Sequence, residues 1–415
     1  MRSVRRKIAL LLILFCLMLL CVPASAEEVT RQCRFRFVGG SGNLADMLDR
    51  NYNTACMEAM YQEYVLEITP GETPVRSVYI EFGFTCLPFR VEAKDAAGTW
   101  QTIAVSAEKA FSQEYLAFPT QTEQFRIVFT CTADTRSVSI DEIYLFSDGE
   151  VGERYSHVWQ DPVEKADLLV FSTHPDDELL WLGGTIPYYA GERGMQVEVC
   201  YLTCATYARW LELLNGLWHC GVRSAPDVGG FDDGLYDSLD AVYAVWGRGE
   251  AERYIVRCLR RYRPEVVVTQ DVDGEYGHKQ HVAMVAAVLR GVDLAADPAF
   301  DPQSAAEYGV WSVKKLYCHL GEEPTIVMDW DAPLASFGGK TAFDVTEEAF
   351  ALHESQAKNW TVARKGTAYD GTLFTLMSTT VGPDEAGNDF FEHISADGLS
   401  ASVQQENGAV PKEIQ

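Results

Sequence analysis

Two clusters of acidic and imidazole side chains stand out in this chain of 415 residues. The first, THPDDELLWLGG over residues 173–184, places His174 beside three acids directly after an apolar segment. The second, DVDGEYGHKQH over residues 271–281, follows another apolar segment and ends with His278 and His281. Adjacent carboxylates repel one another, and a divalent cation offsets that repulsion. Two imidazoles and one carboxylate that converged would make a three-ligand site with an open position for water, as in catalytic zinc centres.

The first cluster also has a structural interpretation that needs no metal. Asp and Glu are favourable in the first turn of a helix because they interact with the helix dipole, so HPDDE can be a solvated helix N-terminus. Glu178 is expected to cap that helix or to orient a ligand. The second histidine-rich cluster, placed after a second apolar strand, favours the metal site over this alternative.

Buried strands and helices alternate from about residue 164 onward. DLLVFST, VEVCYLT, EVVVTQ, KKLYCHL and PTIVMDW are apolar strand segments, and ARWLELLNGLWHCGV, AERYIVRCLRRYRP, HVAMVAAVLRG and VTEEAFALHESQAKNW have helical spacing. Strands buried on both faces predict a mostly parallel, Rossmann-like α/β sheet with helices on both sides. Both clusters then lie at the carboxyl ends of strands, where such sheets bind ligands.

Residues 27–148 have a different periodicity. VRSVYIEFGF, PFRVEAKD, WQTIAV, QFRIVFT and VSIDEIYLF are rich in β-branched and aromatic residues, and turn residues such as 96–99 separate them. This pattern predicts an all-β jelly-roll sandwich. The polar residues 149–163 are interpreted as a linker, residues 164–394 as the α/β domain and residues 395–415 as a disordered tail.

The first 26 residues predict export. MRSVRRK is basic, IALLLILFCLMLLCV is apolar, and Ala24-Ser25-Ala26 has the small-x-small pattern that signal peptidase cuts. Cleavage after Ala26 would leave 30 Lys and Arg against 60 Asp and Glu, a net charge of −30 that disfavours nucleic acid and anionic lipid as partners. We therefore expect a secreted or cell-surface protein without stable membrane insertion. Its remaining cysteines can be disulfides or buried free thiols.

The N-terminal half resembles a discoidin-type (F5/8 type C) galactose-binding-like domain through LADMLDRNYNTAC, FRVEAKDAAGTWQTIAV and SIDEIYLF. Many such domains bind sugars, and many hold a structural calcium ion. The resemblance implies calcium positions at Asp49, Thr54 and Glu142 and a glycan contact through this domain. The alternative interpretation of these three residues is ordinary polar groups at turns and strand ends.

The segments HPDDELLWLGGTI, VEVCYLT, RWLELLNGLWHCGV and YGHKQHVAM resemble the PIG-L/LmbE family of zinc-dependent N-deacetylases over about residues 164–360. The site residues that the resemblance implies are the zinc ligands His174, Asp177 and His281, the general base Asp176, the positively charged partner His278, the carbonyl-polarising Tyr276 and the substrate-holding Arg209.

One residue departs from the family pattern. The family usually has an acid directly before the final ligand, whereas this chain has Gln280, whose amide can form hydrogen bonds but adds no charge. We expect the metal site to tolerate this change, with its consequence falling on His278. His219 and His319 are expected to be packed rather than ligating, and His353, in LHESQ, to lie near the site.

The resemblance implies a secreted zinc hydrolase that removes acetyl from an N-acetylated sugar, such as an N-acetylglucosamine-type glycan or glycoconjugate. Zinc would activate a water molecule and polarise the amide carbonyl. Two alternatives stay open, namely hydrolysis of another N-acyl amide and carbohydrate binding without catalysis. Another divalent metal also stays open at a site of two histidines and one aspartate.

Overall fold

The chain forms two compact units that divide between Val158 and Trp159. The computed structural model describes residues 24–40, 42–59, 63–83, 86–108, 111–131 and 137–400. The division falls inside the segment predicted to be a linker. The residues on either side of it are paired, because Val158 bridges Glu114 in the first unit and Gln160 bridges Ser224 in the second.

Two predictions concern the ends of the chain, the signal peptide and the disordered tail, and the structure describes only part of each segment. Residues 1–23 of the predicted signal peptide and residues 401–415 of the predicted tail lie outside the described residues. The tail prediction is wrong at its start, because the backbone N–H and the hydroxyl of Ser400 both donate to the carboxylate of Asp167, at 2.6 and 2.7 Å. No helix in the described part of the chain is long and apolar enough to cross a membrane.

The first unit is a sandwich of two antiparallel sheets, as predicted. One sheet has the strand order β1-β3-β8-β5-β6 and the other β2-β9-β4-β7. The strands are β1 (Arg34–Phe37), β2 (Cys56–Ala59), β3 (Glu63–Thr69), β4 (Val75–Phe82), β5 (Phe89–Lys94), β6 (Trp100–Val105), β7 (Gln113–Gln121), β8 (Phe125–Thr130) and β9 (Ser137–Phe146).

Alternation of side chains builds the core of the sandwich. In β3, Tyr64, Leu66 and Ile68 are buried and their neighbours are not, so one face of the strand packs inward. The predicted turn at residues 96–99 joins β5 to β6, with Gly98 at φ +81°, a value that glycine adopts without strain.

The second unit is built on a seven-stranded sheet with the order β12-β11-β10-β13-β14-β16-β15. The first five strands are mutually parallel, and β16 runs antiparallel to both of its neighbours. The strands are β10 (Leu168–Ser172), β11 (Val197–Thr203), β12 (Asp227–Phe231), β13 (Val266–Thr269), β14 (Lys315–His319), β15 (Ile326–Val327) and β16 (Leu373–Thr379). The predicted mostly parallel α/β fold is confirmed.

Both faces of this sheet are covered. Leu169 and Phe171 of β10 belong to one apolar cluster, whereas Leu168 and Val170 point to the opposite face and are also fully buried. The helices are α1 (Asp177–Leu180), α2 (Tyr207–His219), α3 (Leu239–Trp246), α4 (Arg248–Tyr262), α5 (Lys279–Ala295), α6 (Pro302–Tyr308) and α7 (Ala342–Ala351).

The helix predicted through Trp360 ends earlier, at Ala351. The carboxylate of Glu212, on α2, accepts hydrogen bonds from the backbone N–H and the hydroxyl of Ser355, at 2.8 and 2.6 Å. These bonds hold the segment after α7 in turns against α2 instead of letting the helix continue.

Candidate metal centre

The site lies where the strand order of the sheet reverses. β10 lies between β11 and β13 in the sheet, and the chain passes from it to β11 on one side and, later, to β13 on the other. The loops that follow β10 and β13 therefore leave the same edge side by side, at the switch point where α/β sheets bind ligands. Gln270 ties the two loops together, since its Oε1 accepts from the backbone N–H and the hydroxyl of Thr173, at 2.8 and 2.7 Å.

Three donor atoms form a compact triangle at this edge. Nδ1 of His174 lies 2.9 Å from Oδ2 of Asp177, and Nε2 of His281 lies 3.2 Å from each of those two atoms. Ligands about 2.0–2.1 Å from a tetrahedral zinc ion are separated by roughly 3.3 Å. The structure thus brings together the three side chains predicted as ligands, at a spacing that fits one metal ion.

Hydrogen bonds on the outer nitrogens orient both imidazoles. Nε2 of His174 lies 2.9 Å from Oε1 of Gln280, and Nε2 of Gln280 donates to the carbonyl of Asp232 at 2.7 Å, which sets the direction of the amide. Nδ1 of His281 lies 2.8 Å from Oε2 of Glu275. With a metal ion at the triangle, each outer nitrogen would carry the proton and each inner nitrogen would offer its lone pair to the ion.

Charge also favours a cation at the triangle. Burial would lower the pKa of His281, but Asp177 and Glu275 outweigh burial and raise the pKa to about 10. Burial would raise the pKa of Asp177, and the charges of His281 and His174 instead hold it well below its usual range. The buried carboxylates therefore stabilise positive charge at this point, which a divalent ion supplies when it binds.

Glu275 is a functional candidate that the sequence analysis did not single out. It is fully buried between His281 and His319, and its Oε1 lies 2.9 Å from Nδ1 of His319. Burial would raise the pKa of Glu275, but hydrogen bonds from both histidines outweigh burial and lower the pKa to about 2. His319 is thus packed in β14, as predicted, and also contacts the carboxylate that orients a ligand.

Asp176 follows the first predicted ligand by two residues and has an unusual backbone. Its φ of +117° is rare for a residue other than glycine and aims its side chain into the site. Burial and the charge of Asp177 raise the pKa of Asp176 well above its usual range, and the Arg209 guanidinium, 3.1 Å from its Oδ1, opposes that shift. Arg209 therefore contacts the carboxylate of Asp176, the predicted base, and lines the same cleft.

Glu178 contacts the backbone at the start of α1 rather than the side chain of a predicted metal ligand. Its Oε2 accepts from the backbone N–H of Asp176 at 3.1 Å, which braces the strained residue. Burial raises the pKa of Glu178 to about 7.

The imidazole of His278 borders the triangle, and its surroundings disfavour the protonated, positively charged form. Its ring centre lies 4.6 Å from that of His281 and 4.9 Å from that of His174. Burial and the charges of these two histidines lower the pKa of His278 to about 4. The neutral imidazole therefore prevails at neutral pH, which differs from the positively charged partner that the sequence analysis expected.

An open cleft leads to the triangle. It is lined by His174, Asp176, Asp177, Leu180, Trp181, Arg209, Asp233, Tyr276, His278, Gln356 and Trp360. Every residue predicted for catalysis or substrate binding is among them. His353 is fully buried rather than exposed to the cleft, and it is Gln356, three residues further on, that reaches the cleft from the LHESQ segment.

The residues predicted to bind calcium lie in the first unit. Thr54 donates to Asp49 at 3.0 Å, and both are on the loop that packs against Glu142. The two oxygens of Glu142 already accept from the Arg50 guanidinium at 2.6 Å and from the backbone N–H of Asn51 at 2.9 Å. The three residues are brought together, but Arg50 occupies the carboxylate that a calcium ion would need.

None of the nine described cysteines forms a disulfide, and Cys56, Cys200, Cys220, Cys258 and Cys318 are buried thiols.

Comparisons with known proteins match the second unit to sugar deacetylases. The family model described as PIG-L, GlcNAc-PI de-N-acetylase, matches residues 169–292. A 1D-myo-inositol 2-acetamido-2-deoxy-alpha-D-glucopyranoside deacetylase from Catenulispora acidiphila is 27% identical over 295 residues, covering 59% of this chain and 89% of the relative. The deacetylase of the same description from Rhodococcus opacus is 30% identical over 257 residues, covering 49% and 84%.

Among solved structures, the first unit is similar to a family 32 CBM from C. perfringens NanJ in complex with galactose. The similarity has a TM-score of 0.24 and 14% identity, and it covers 29% of this chain and 99% of that one.

Proposed function

The chain belongs to the PIG-L (GlcNAc-PI de-N-acetylase) family and is a metal-dependent N-deacetylase, and we propose that it uses zinc to remove acetyl from an N-acetylated sugar. The observation that carries the proposal is the triangle of His174, Asp177 and His281, with sides of 2.9, 3.2 and 3.2 Å. Two imidazole nitrogens and one carboxylate oxygen leave a fourth tetrahedral position open. When bound there, zinc lowers the pKa of water towards about 7 and polarises a carbonyl oxygen.

Asp176 is the proposed general base. Its side chain lines the cleft beside the ligand Asp177, where it can take the proton of the attacking water and pass it to the leaving nitrogen. A base must be ionised before it acts, and burial and the charge of Asp177 raise the pKa of this carboxyl. The contact with Arg209 at 3.1 Å opposes the shift, and a divalent ion bound to Asp177 would oppose it further.

Tyr276 and His278 are the proposed hydrogen-bond donors to the oxygen that gains negative charge. Burial and the charges of Asp177 and Asp176 raise the pKa of Tyr276, so its phenol keeps its proton and can donate. His278 would donate as a neutral imidazole, through the one N–H that this form retains. Donors aimed at a developing oxyanion are worth about 3–4 kcal/mol where one has been removed from an enzyme.

A sugar substrate is supported by the two relatives, whose names both describe deacetylation of a 2-acetamido-2-deoxy-glucopyranoside. The cleft itself combines charged and amide groups with aromatic side chains, which suits a ligand with many hydroxyl groups.

We also propose that the chain is exported through residues 1–26 and that the first unit contacts glycans. Calcium at Asp49, Thr54 and Glu142 would require the Arg50 guanidinium to leave Glu142. Calorimetric titration of the purified chain with calcium tests this point, since heat at micromolar calcium would support the ion, and none up to millimolar calcium would refute it.

The test of the main proposal is acetate release from a panel of N-acetylated sugars by the purified chain, with and without zinc. We expect zinc-dependent release that Asp176→Asn lowers at least 100-fold without loss of bound metal, as for removal of a general base. Asp293→Asn, at an exposed position of α5, is the matched control and should keep full activity. Release only from non-sugar amides would support the broader N-acyl hydrolase, and unchanged activity in Asp176→Asn would refute the assigned base.

A further inference from the structure

Aromatic side chains form one side of the cleft beside the metal centre. We call Trp181, Tyr276, Trp360 and Tyr369 the aromatic wall. The rings of Tyr276 and Trp360 are 5.2 Å apart and 31° from parallel, and Trp181 lies 5.8 Å from Tyr276 and 6.1 Å from Trp360. Tyr369 packs against Trp181 at 5.4 Å and accepts the backbone N–H of Tyr276 at 3.0 Å.

Part of the wall is exposed to solvent. Tyr276 is 45% exposed and Trp360 39%, and among the described residues every other aromatic side chain is partly or fully buried. Exposed aromatic surface costs hydration free energy, so its concentration at one cleft indicates a ligand that covers it.

The wall is held in place before any ligand arrives. The backbone N–H of Trp360 donates to the carbonyl of Gln356 at 3.2 Å, and the preceding Ser355 is bonded to Glu212. Trp181, only 4% exposed, meets the ring of Trp360 edge to face at 82°. Such a preorganised surface loses little conformational entropy when a ligand binds.

The polar groups in the cleft define the chemistry of the ligand. Asp176, Arg209, Asp233 and Gln356 line the cleft together with Trp181, Tyr276 and Trp360 and offer charged and amide groups for hydrogen bonds. A ligand that fills the cleft must therefore be apolar on one face and rich in hydroxyl groups at its edge. A pyranose ring has this character, because its C–H bonds form a flat face and its hydroxyl groups project around the rim. An acyl chain would leave the polar groups unpaired.

The wall also lies at the right distance from the reacting groups. The ring of Tyr276 is 5.6 Å from that of His281 and 5.6 Å from that of His278. A ring stacked on the wall would thus be next to the position of an acetamido group at the metal centre.

Resting on the proposed function, we infer that the aromatic wall is a saccharide subsite in which Trp360 stacks on the apolar face of a pyranose ring and selects ring-form sugars. Trp360 is the specificity residue of this subsite because, unlike Tyr276, it contacts none of the imidazoles around the triangle in the described structure.

The test compares N-acetylglucosamine with N-acetylglucosaminitol, its reduced open-chain form, as substrates of the zinc-loaded chain. We expect Trp360→Ala to raise KM for N-acetylglucosamine about tenfold and to change kcat less than about twofold, whereas KM for the open-chain substrate stays the same. Trp360→Phe should restore most of the affinity. Met377→Ala, at a position that is also 39% exposed but outside the cleft, is the control and should behave as the unsubstituted chain.

An unchanged KM for N-acetylglucosamine in Trp360→Ala, or an equal rise for both substrates, would overturn the subsite. If the unsubstituted chain hydrolyses neither substrate, that result counts against the proposed deacetylase activity and not against the subsite. A measurement of saccharide binding then tests the subsite. Titration with the N-acetylglucosamine trisaccharide should change the tryptophan fluorescence of the unsubstituted chain and of Met377→Ala, and this change should be lost in Trp360→Ala. No change in the unsubstituted chain would refute the subsite.

Discussion

The indole N–H of Trp181 donates a 2.9 Å hydrogen bond to Oδ1 of Asp177, the carboxylate oxygen opposite the one that faces His174 and His281. The two residues are four positions apart, so the short helix α1 brings the indole over the carboxylate. Oδ2, which also accepts a hydrogen bond from the backbone N–H of His174 at 2.9 Å, is the oxygen that faces the triangle. It also connects the aromatic wall directly to the metal centre.

We therefore expect Trp181→Phe to weaken metal binding. The substitution keeps an aromatic ring but removes the donor to Asp177, and loss of a hydrogen bond to a metal ligand typically lowers metal affinity about 10–100-fold. Competition with a chromogenic chelator measures the affinity. Trp311→Phe loses an indole bond of 2.7 Å to the carbonyl of Pro264 and serves as control. Equal zinc affinity in both variants would contradict the role of Trp181.

Glu275→Gln is expected to weaken metal binding as well, because the carboxylate accepts a hydrogen bond from His281 and increases the basicity of the inner nitrogen of that imidazole. An amide oxygen can still accept one bond but carries no charge. We expect about a tenfold loss of zinc affinity by the same competition. The matched control is Glu198→Gln, another fully buried carboxylate, which is bonded to Ser224. A loss of the same size in the control would assign the effect to the replacement of any buried carboxyl group rather than to the contact with His281.

Gln280 departs from the family pattern for a reason visible in its contacts. Its side-chain amide accepts a hydrogen bond from His174 at 2.9 Å and donates one to the carbonyl of Asp232 at 2.7 Å. A carboxylate could not donate the second bond. Gln280→Glu should therefore lower the free energy of unfolding by about 1–3 kcal/mol, since an oxygen would face the carbonyl at a buried site. Urea unfolding of the metal-free chain at pH 8 measures it. Gln303→Glu, exposed on α6, should change nothing, and a Gln280→Glu variant as stable as the parent would refute this explanation.

The first unit should lose stability as the pH rises. Burial raises the pKa of Glu81 to about 7 from its ordinary value of 4.5, with Arg154 opposing the shift. The folded state then holds this proton more tightly than the unfolded state, so stability is greatest below about pH 4.5 and falls as the pH rises to about 7, by roughly 3 kcal/mol.

Glu81→Gln should flatten this dependence and raise the Tm of the first unit at pH 8 relative to the unsubstituted chain. Thermal unfolding between pH 5 and pH 8 tests it, with Glu72→Gln, at an exposed position, as control. Identical slopes for all three proteins would show that Glu81 does not retain its proton in the fold.

Much of the fold could be predicted because it depends on local pattern. Continuous apolar segments identified β10, β11, β13 and β14, and segments rich in β-branched and aromatic residues between turns identified five strands of the sandwich. β16 was missed, since only one of its seven side chains, that of Phe374, is fully buried and its pairing partners, β14 and β15, precede it by many residues. The helix expected to reach Trp360 was too long because its end depends on Glu212, more than a hundred residues earlier.

The sequence by itself determined which side chains could meet at the metal centre. Parallel strands place their carboxyl ends at one edge, so the clusters after β10 and β13 had to lie together. Only the tertiary structure decided what each side chain does there. Glu275 is buried because β14 brings His319 beside it, His278 is neutral because two other imidazoles surround it, and Trp360 reaches the cleft through turns held by α2. These properties arise from contacts between distant segments, which set burial, charge and hydrogen bonding and which no local pattern encodes.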